Sequence, residues 1–166
     1  MEKEGRGNYA FIDGANLHKG IREQGWKLDY KRFRVFLREK YGVSIAYLFL
    51  GNVAGNEGLY RDLENWGYRL IFKPTLKNAH EEVKGNCDAE LVLQAMIDFE
   101  NYDQAVIVTG DGDFACLVSY LLKQGKLRQV IGPNHRRCSL LLRRLLPDNI
   151  LFLDRFKERF KMKDGK

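Results

Sequence analysis

Asp111 and Asp113 stand one glycine apart, just past the apolar run Ala105–Val108. Carboxylates that close repel each other unless one is protonated or a cation lies between them. Two more acids stand in comparable places. The apolar run Tyr9–Ile12 ends in Asp13, and Asp88 opens a segment of helical spacing. Oxygen-only donors of this kind suit a hard divalent cation, Mg²⁺ or Mn²⁺. Taken singly, Asp13, Asp88 and Asp111 each read as a helix N-cap, and Asp113 reads as a first-turn acid favoured by the helix dipole. The metal reading rests on the set of four.

Other phosphate chemistries leave signatures that this chain lacks. There is no G-x-x-x-x-G-K-[ST] loop, and "DGANLHKG" after the first apolar run is not a dinucleotide fingerprint. Gly14 and Ala15 follow Asp13, where a phosphotransferase with an Asp nucleophile would carry D-x-D. The three cysteines, Cys87, Cys116 and Cys138, are far apart, which argues against a disulfide framework and against zinc. Each is expected to pack as a small buried apolar group. His18, His80 and His135 are equally scattered, and nothing in their spacing points to a triad.

The acids need elements to bring them together. Runs rich in β-formers cover Tyr9–Ile12, Ile45–Leu50, Leu70–Phe72, Ala105–Val108, Gln129–Ile131 and Ile150–Leu153. Between them, apolar residues recur at helical spacing over 30–40, 56–66, 89–100, 113–124 and 138–146. Continuous apolar strands alternating with helices predict a parallel sheet covered on both faces. In such sheets ligands sit beyond the carboxyl ends of the strands, where strand order reverses. If the strands ending at Asp13 and Asp111 are neighbours there, the four carboxylates share one rim. The longest stretch without periodicity, 73–87, leads into Asp88 and is expected to be functional rather than a plain connector. The last residues, 161–166, are expected to fray.

The chain has 166 residues, 45% of them apolar, which suits one domain with a single core. No apolar run approaches the ~20 residues of a membrane helix, and the polar start MEKEGRGN is not a signal peptide, so a cytoplasmic protein is expected. The net charge of +6 is uneven. Residues 126–166 carry 12 Lys and Arg against 4 Asp and Glu, a net of +8, and the rest of the chain carries −2. A basic end beside an acidic rim fits metal-assisted cleavage of a phosphodiester.

Three stretches, "FIDGANL" (11–17), "KGNCDAEL" (84–91) and "VTGDGDF" (108–114), resemble the motifs of the NYN domain, closest to its LabA-like branch within the PIN-like nuclease superfamily. The resemblance extends over roughly residues 8–155. It implies a three-layer α/β/α sandwich with a central parallel sheet of strand order 3-2-1-4-5. A single domain over 1–166 is expected, with its core at about 8–155 and a basic C-terminal helix at 154–162. The implied activity is that of a metal-dependent endoribonuclease using Mg²⁺ or Mn²⁺. Asp13, Asp88, Asp111 and Asp113 match the family's acids, Asn16 its supporting Asn, and Thr109 a Ser or Thr position.

On that reading Asp13 and Asp111 hold a cation directly, while Asp88 and Asp113 bind a second ion or orient water. Asn16 bonds an acid or that water, and Thr109 holds an acid or a phosphate oxygen. Attack by metal-activated water leaves 5′-phosphate and 3′-hydroxyl ends. RNA is expected to approach along His18, Lys19 and Arg22, along Lys73, Lys77 and Lys84, and along His135, Arg136 and Arg137. Trp26, Tyr60 and Trp66 read as packing residues. An apolar patch within 138–156 would pair subunits if the protein is a homodimer. Two other functions use the same residues: a catalytically silent RNA-binding or regulatory module, and a phosphatase or phospho-acceptor domain working through Asp13.

Overall fold

The computed structural model describes residues 6–51, 55–73 and 87–163. Six strands, β1 (Asn8–Asp13), β2 (Val43–Gly51), β3 (Tyr68–Lys73), β4 (Ala105–Val108), β5 (Leu127–Gly132) and β6 (Ile150–Phe152), form one sheet of order 3-2-1-4-5-6. Every pairing is parallel. The helices are α1 (Gly14–Arg22), α2 (Tyr30–Tyr41), α3 (Glu57–Asn65), α4 (Asp88–Ile97), α5 (Ala115–Lys123), α6 (Leu140–Leu145) and α7 (Lys157–Phe160). The expected order 3-2-1-4-5 holds, and the sixth strand extends it on the β5 side.

Alternation along the strands sends side chains into two cores. Ala10, Ile12, Val106 and Val108 pack with Leu17, Phe33, Leu37 and Leu63 of α1, α2 and α3. Phe11, Ala105 and Ile107 face the other way and pack with Leu91, Leu117, Leu121 and Leu142 of α4, α5 and α6. Both faces are covered, so the strands are apolar throughout rather than alternating. Trp26 belongs to the first core, with Tyr60 and Trp66 packed against it, in line with their reading as packing residues. Cys87 is buried in the second. Cys116 corrects the expectation of three buried thiols: it is exposed on α5, and Cys138 is half-buried.

β1 is central, with β2 on one side and β4 on the other. The chain builds outward through β2 and β3, then returns to the far side of β1, so order reverses between β1 and β4. Ile12 lies opposite Val108 in the register. The next residues, Asp13 and Thr109, therefore leave the sheet side by side.

The turn from β1 into α1 depends on Gly14. A Cβ there would sit 2.5 Å from the Phe49 carbonyl oxygen and 2.6 Å from Leu50 Cδ2, both on β2. Gly14→Ala should therefore destabilise the fold by about 1–3 kcal/mol, roughly 3–12 °C in Tm for a chain of this size. Thermal unfolding checks this, and an unchanged Tm would contradict the close approach.

Beyond β6 a 3₁₀ turn (Leu153–Phe156) leads into the four-residue α7. Phe160, 1% exposed, packs edge-on against Phe33 and Phe36 of α2. Lys161 bridges Leu28, and the Met162 N–H donates to the Lys27 carbonyl at 2.8 Å. These bonds hold residues expected to fray; 164–166 lie outside the described residues, as does most of the long stretch before Asp88, 74–86. No helix among the described residues is long and apolar enough to cross a membrane.

Candidate active site

Asp13 is the last residue of β1 and is 8% exposed. Its Oδ1 accepts the Asn16 N–H at 3.2 Å and so caps α1. Its Oδ2 accepts the Thr109 hydroxyl at 2.9 Å. Thr109, fully buried, is anchored by its own N–H to the Ile131 carbonyl at 2.9 Å. Its Oγ1 in turn accepts the Asp111 N–H at 3.1 Å. One hydroxyl thus ties the acid of β1 to the backbone that carries the acid after β4.

Asp111 precedes a 3₁₀ turn (Gly112–Phe114), and its Oδ1 accepts the Asp113 N–H at 2.9 Å. Asp88 is the first residue of α4, whose N-cap is Cys87 with no side-chain bond. Of the three acids read as possible caps, Asp13 and Asp111 do cap helical turns, and Asp88 does not. Carboxylate oxygens of Asp13, Asp88 and Asp111 lie within 4.8 Å of one another. Asp113 is exposed and is not in that group.

This donor set fits a hard cation. Around an ion with bonds of about 2.1 Å, coordinating oxygens stand roughly 3–4 Å apart. The oxygens here lie within 4.8 Å of one another, close to that range. The electrostatics show the same need. Burial pushes the Asp13 carboxyl up from 3.8 to about 6; the Asn16 N–H and the Thr109 hydroxyl pull it down, and Asp88 and Asp111 add repulsion. A cation bound there would supply the missing counter-charge.

Asn16 reaches the acid in one way and the loop after β4 in another. Its backbone, not its side chain, bonds Asp13. The side-chain Oδ1 accepts the Gly110 N–H at 2.8 Å, which fixes the start of α1 against the loop after β4.

The expected RNA contacts separate around α1. Lys19 faces the loop after β5 and, with Asn16, Gly20, Glu23, Gly110 and Arg137, lines a cleft of about 180 Å³. His18 and Arg22 lie on another face of the helix and line a cavity of about 610 Å³ with Trp26, Trp66 and Met162. Arg136 and Arg137 are exposed, and Arg137 pairs with Glu23 at 3.5 Å. His135 is engaged through Nδ1 by the Asp154 carboxylate. Lys73 ends β3, while Lys77 and Lys84 lie outside the described residues. Asn134, absent from the expected contacts, is 8% exposed and lines the small cleft. A buried Asn in a Gly-Pro-Asn turn resembles any turn residue, so no sequence signal marked it.

Carboxylates gathered at the switch point of a parallel sheet are the construction of PIN-like nuclease domains. The NYN domain profile matches residues 9–144, and the chain belongs to that family. A curated relative, the low amplitude and bright protein LabA of Synechococcus elongatus, is 30% identical over 122 residues. That match covers 67% of this chain and 65% of LabA, so the chain spans just under two thirds of the relative. The crystal structure of a protein of unknown function from Vibrio parahaemolyticus superposes with a TM-score of 0.76 at 23% identity, over 98% of this chain and 100% of that one. At that identity the likeness is one of fold.

Proposed function

We propose that the protein is a metal-dependent endoribonuclease whose Asp13, Asp88 and Asp111 hold a divalent cation. The observation that carries the reading is the convergence of these three carboxylates, within 4.8 Å, at the point where strand order reverses. Bound there, Mg²⁺ or Mn²⁺ would lower the pKa of water and offset charge on the phosphate. The protein's own part is to hold the oxygens still. Thr109 fixes Asp13 and the backbone of Asp111, and Asn16 locks Gly110 between them. Asp113 has a secondary role: its N–H fixes Asp111 Oδ1, and its exposed carboxylate can serve a second ion or water.

RNA would reach the acids across Lys19, Arg136 and Arg137, with Lys84 contributing from the stretch before Asp88. Arg22 would contact the strand farther along, beside His18 and the two tryptophans. Leu140 and Leu141, each more than half exposed, are where a second copy would pair. The site disfavours a phospho-acceptor at Asp13, because both oxygens already hold hydrogen bonds and the group is buried.

The test is cleavage of single-stranded and hairpin RNA with added Mn²⁺, comparing wild type with Asp111→Asn. Wild type should cut, chelator should stop it, and the variant should be at least ~10³-fold slower. Binding without cutting by a metal-loaded wild type would favour the silent RNA-binding module. Hydrolysis of small phosphoesters with no action on RNA would favour the phosphatase.

A further inference from the structure

The cleft between α1 and the loop joining β5 to α6 is built from hydrogen-bond donors. Gly20 brings its walls together: a Cβ there would lie 2.6 Å from Pro133 Cγ, so only glycine lets the helix approach the loop. The carbonyls around the cleft already accept bonds. Gln24 Nε2 donates to the Gly20 and Pro133 oxygens at 2.7 and 3.1 Å. The Asn134 oxygen takes the Arg137 N–H at 3.2 Å, and the Gly110 oxygen takes the Ser139 N–H at 2.9 Å.

The two amide side chains are oriented by backbone N–H groups, which can only donate. Asn16 Oδ1 accepts from Gly110, and Asn134 Oδ1 accepts from Arg136 at 3.0 Å. Both NH₂ groups are thereby left as donors with no partner among the described residues. Asn134 is more than nine-tenths buried and its Oδ1 is tied down, so its NH₂ is a fixed donor at the cleft. Lys19 adds an ammonium at the same cleft, also without an ion pair among the described residues. The only acid there among the described residues, Glu23, is paired with Arg137.

We propose that this cleft binds a phosphate of the substrate strand adjacent to the one at the acids. The proposal rests on the ribonuclease reading for the identity of the strand, and on the cleft alone for the phosphate. A nucleobase presents donors as well as acceptors and needs about equal numbers in return; this cleft offers donors, no aromatic face, and about 180 Å³. Phosphate oxygens only accept. Gly110, which lines the cleft, lies between Thr109 and Asp111, so the two sites share a wall. A strand held at both is fixed in register over the acids, which raises the fraction of encounters that are productive.

The test has two arms. In the first, metal-free ¹⁵N-labelled protein is titrated with inorganic phosphate, and with sodium chloride at matched ionic strength, while the side-chain amide signals of Asn16 and Asn134 are followed. Saturable shifts with phosphate alone are expected. In Asn134→Asp, which keeps Oδ1 for Arg136 and replaces the inward donor with an anion, the Asn16 signal should no longer respond. Lys19→Ala, at an exposed position, should weaken the response if the Asp variant fails to fold. Shifts that merely follow ionic strength overturn the proposal.

In the second arm, Asp111→Asn protein, which should not cut, binds an RNA oligonucleotide carrying one uncharged methylphosphonate linkage, moved along the strand. Neutralising one linkage beside the target bond should cost about tenfold in affinity. The same linkage should cost nothing when Asn134→Asp is also present, and less when Lys19→Ala is. Equal losses at every linkage in both backgrounds overturn the subsite. A saturable phosphate response in a protein that neither binds nor cuts RNA would uphold the cleft and defeat the ribonuclease reading instead.

Discussion

Replacing Asp13 with Asn should abolish RNA cleavage and at the same time make the metal-free protein more stable at neutral pH. The first effect follows from the loss of the most buried of the three proposed cation ligands and should be at least ~10³-fold. The second follows from linkage. Folding raises the Asp13 pKa from 3.8 to about 6, chiefly through burial. The folded state therefore holds that proton more tightly than the unfolded chain. The favourable contribution is complete below about pH 3.8 and disappears as pH rises through 6. Above pH 6 the buried charge costs up to about 3 kcal/mol. Asn keeps an oxygen for the Asn16 N–H and carries no charge. The stability gap between variant and wild type in chelator should thus be near zero at pH 4 and widen toward about 3 kcal/mol by pH 7. Added Mn²⁺ should narrow the gap by stabilising only wild type. Denaturant unfolding at several pH values measures this, and a gap independent of pH would mean that Asp13 is not under strain.

Thr109→Val should give the second large effect, although Thr109 itself holds no cation. Val matches the shape of Thr in a fully buried position and removes only the hydroxyl. Asp13 Oδ2 then loses its donor, and the Asp111 N–H loses its acceptor. Mn²⁺ affinity and cleavage should each fall about 10–100-fold, the usual effect of removing a group that orients a ligand. Stability should fall by about 1–3 kcal/mol from the unpaired N–H. Thr109→Ser restores the hydroxyl and should recover most of the metal affinity even if packing suffers. Calorimetric Mn²⁺ titration separates the cases, since a purely structural role would leave the affinity of folded Thr109→Val unchanged.

The frame of this site was legible in the sequence because it is written in strongly periodic elements. Apolar strands ending in Asp13 and near Asp111 define which edge of the sheet carries the acids, and parallel topology does the rest. The motif resemblance added the strand order that makes β1 and β4 neighbours, which apolar periodicity alone does not specify. Side-chain partners were harder to read. Asn16 follows Asp13 by three residues, and whether its amide turns toward the acid or toward Gly110 depends on a loop almost 100 residues away. Lys19 and Arg22 are near each other in sequence, yet the cleft and the larger cavity lie on different sides of α1. Asp113 resembles Asp111 in sequence, but the 3₁₀ turn exposes one carboxylate and brings the other to Asp13 and Asp88. Cys116 shows the same weakness: burial of a lone helical residue depends on which face its helix turns inward.

On the proposed reading the acids cut RNA with a cation and water, with no proton taken from the ribose. Among the described residues, the group around Asp13 contains three carboxylates and no imidazole. The most direct measurement is product analysis on an RNA with a single 2′-deoxy substitution at the scissile nucleotide, incubated with wild type and Mn²⁺. Cleavage should persist and stop on chelation, and the downstream fragment should carry a 5′-phosphate that a 5′-phosphate-dependent exonuclease degrades. A 2′,3′-cyclic phosphate on the upstream fragment of unmodified RNA, or full resistance of the deoxy substrate with binding intact, would contradict it.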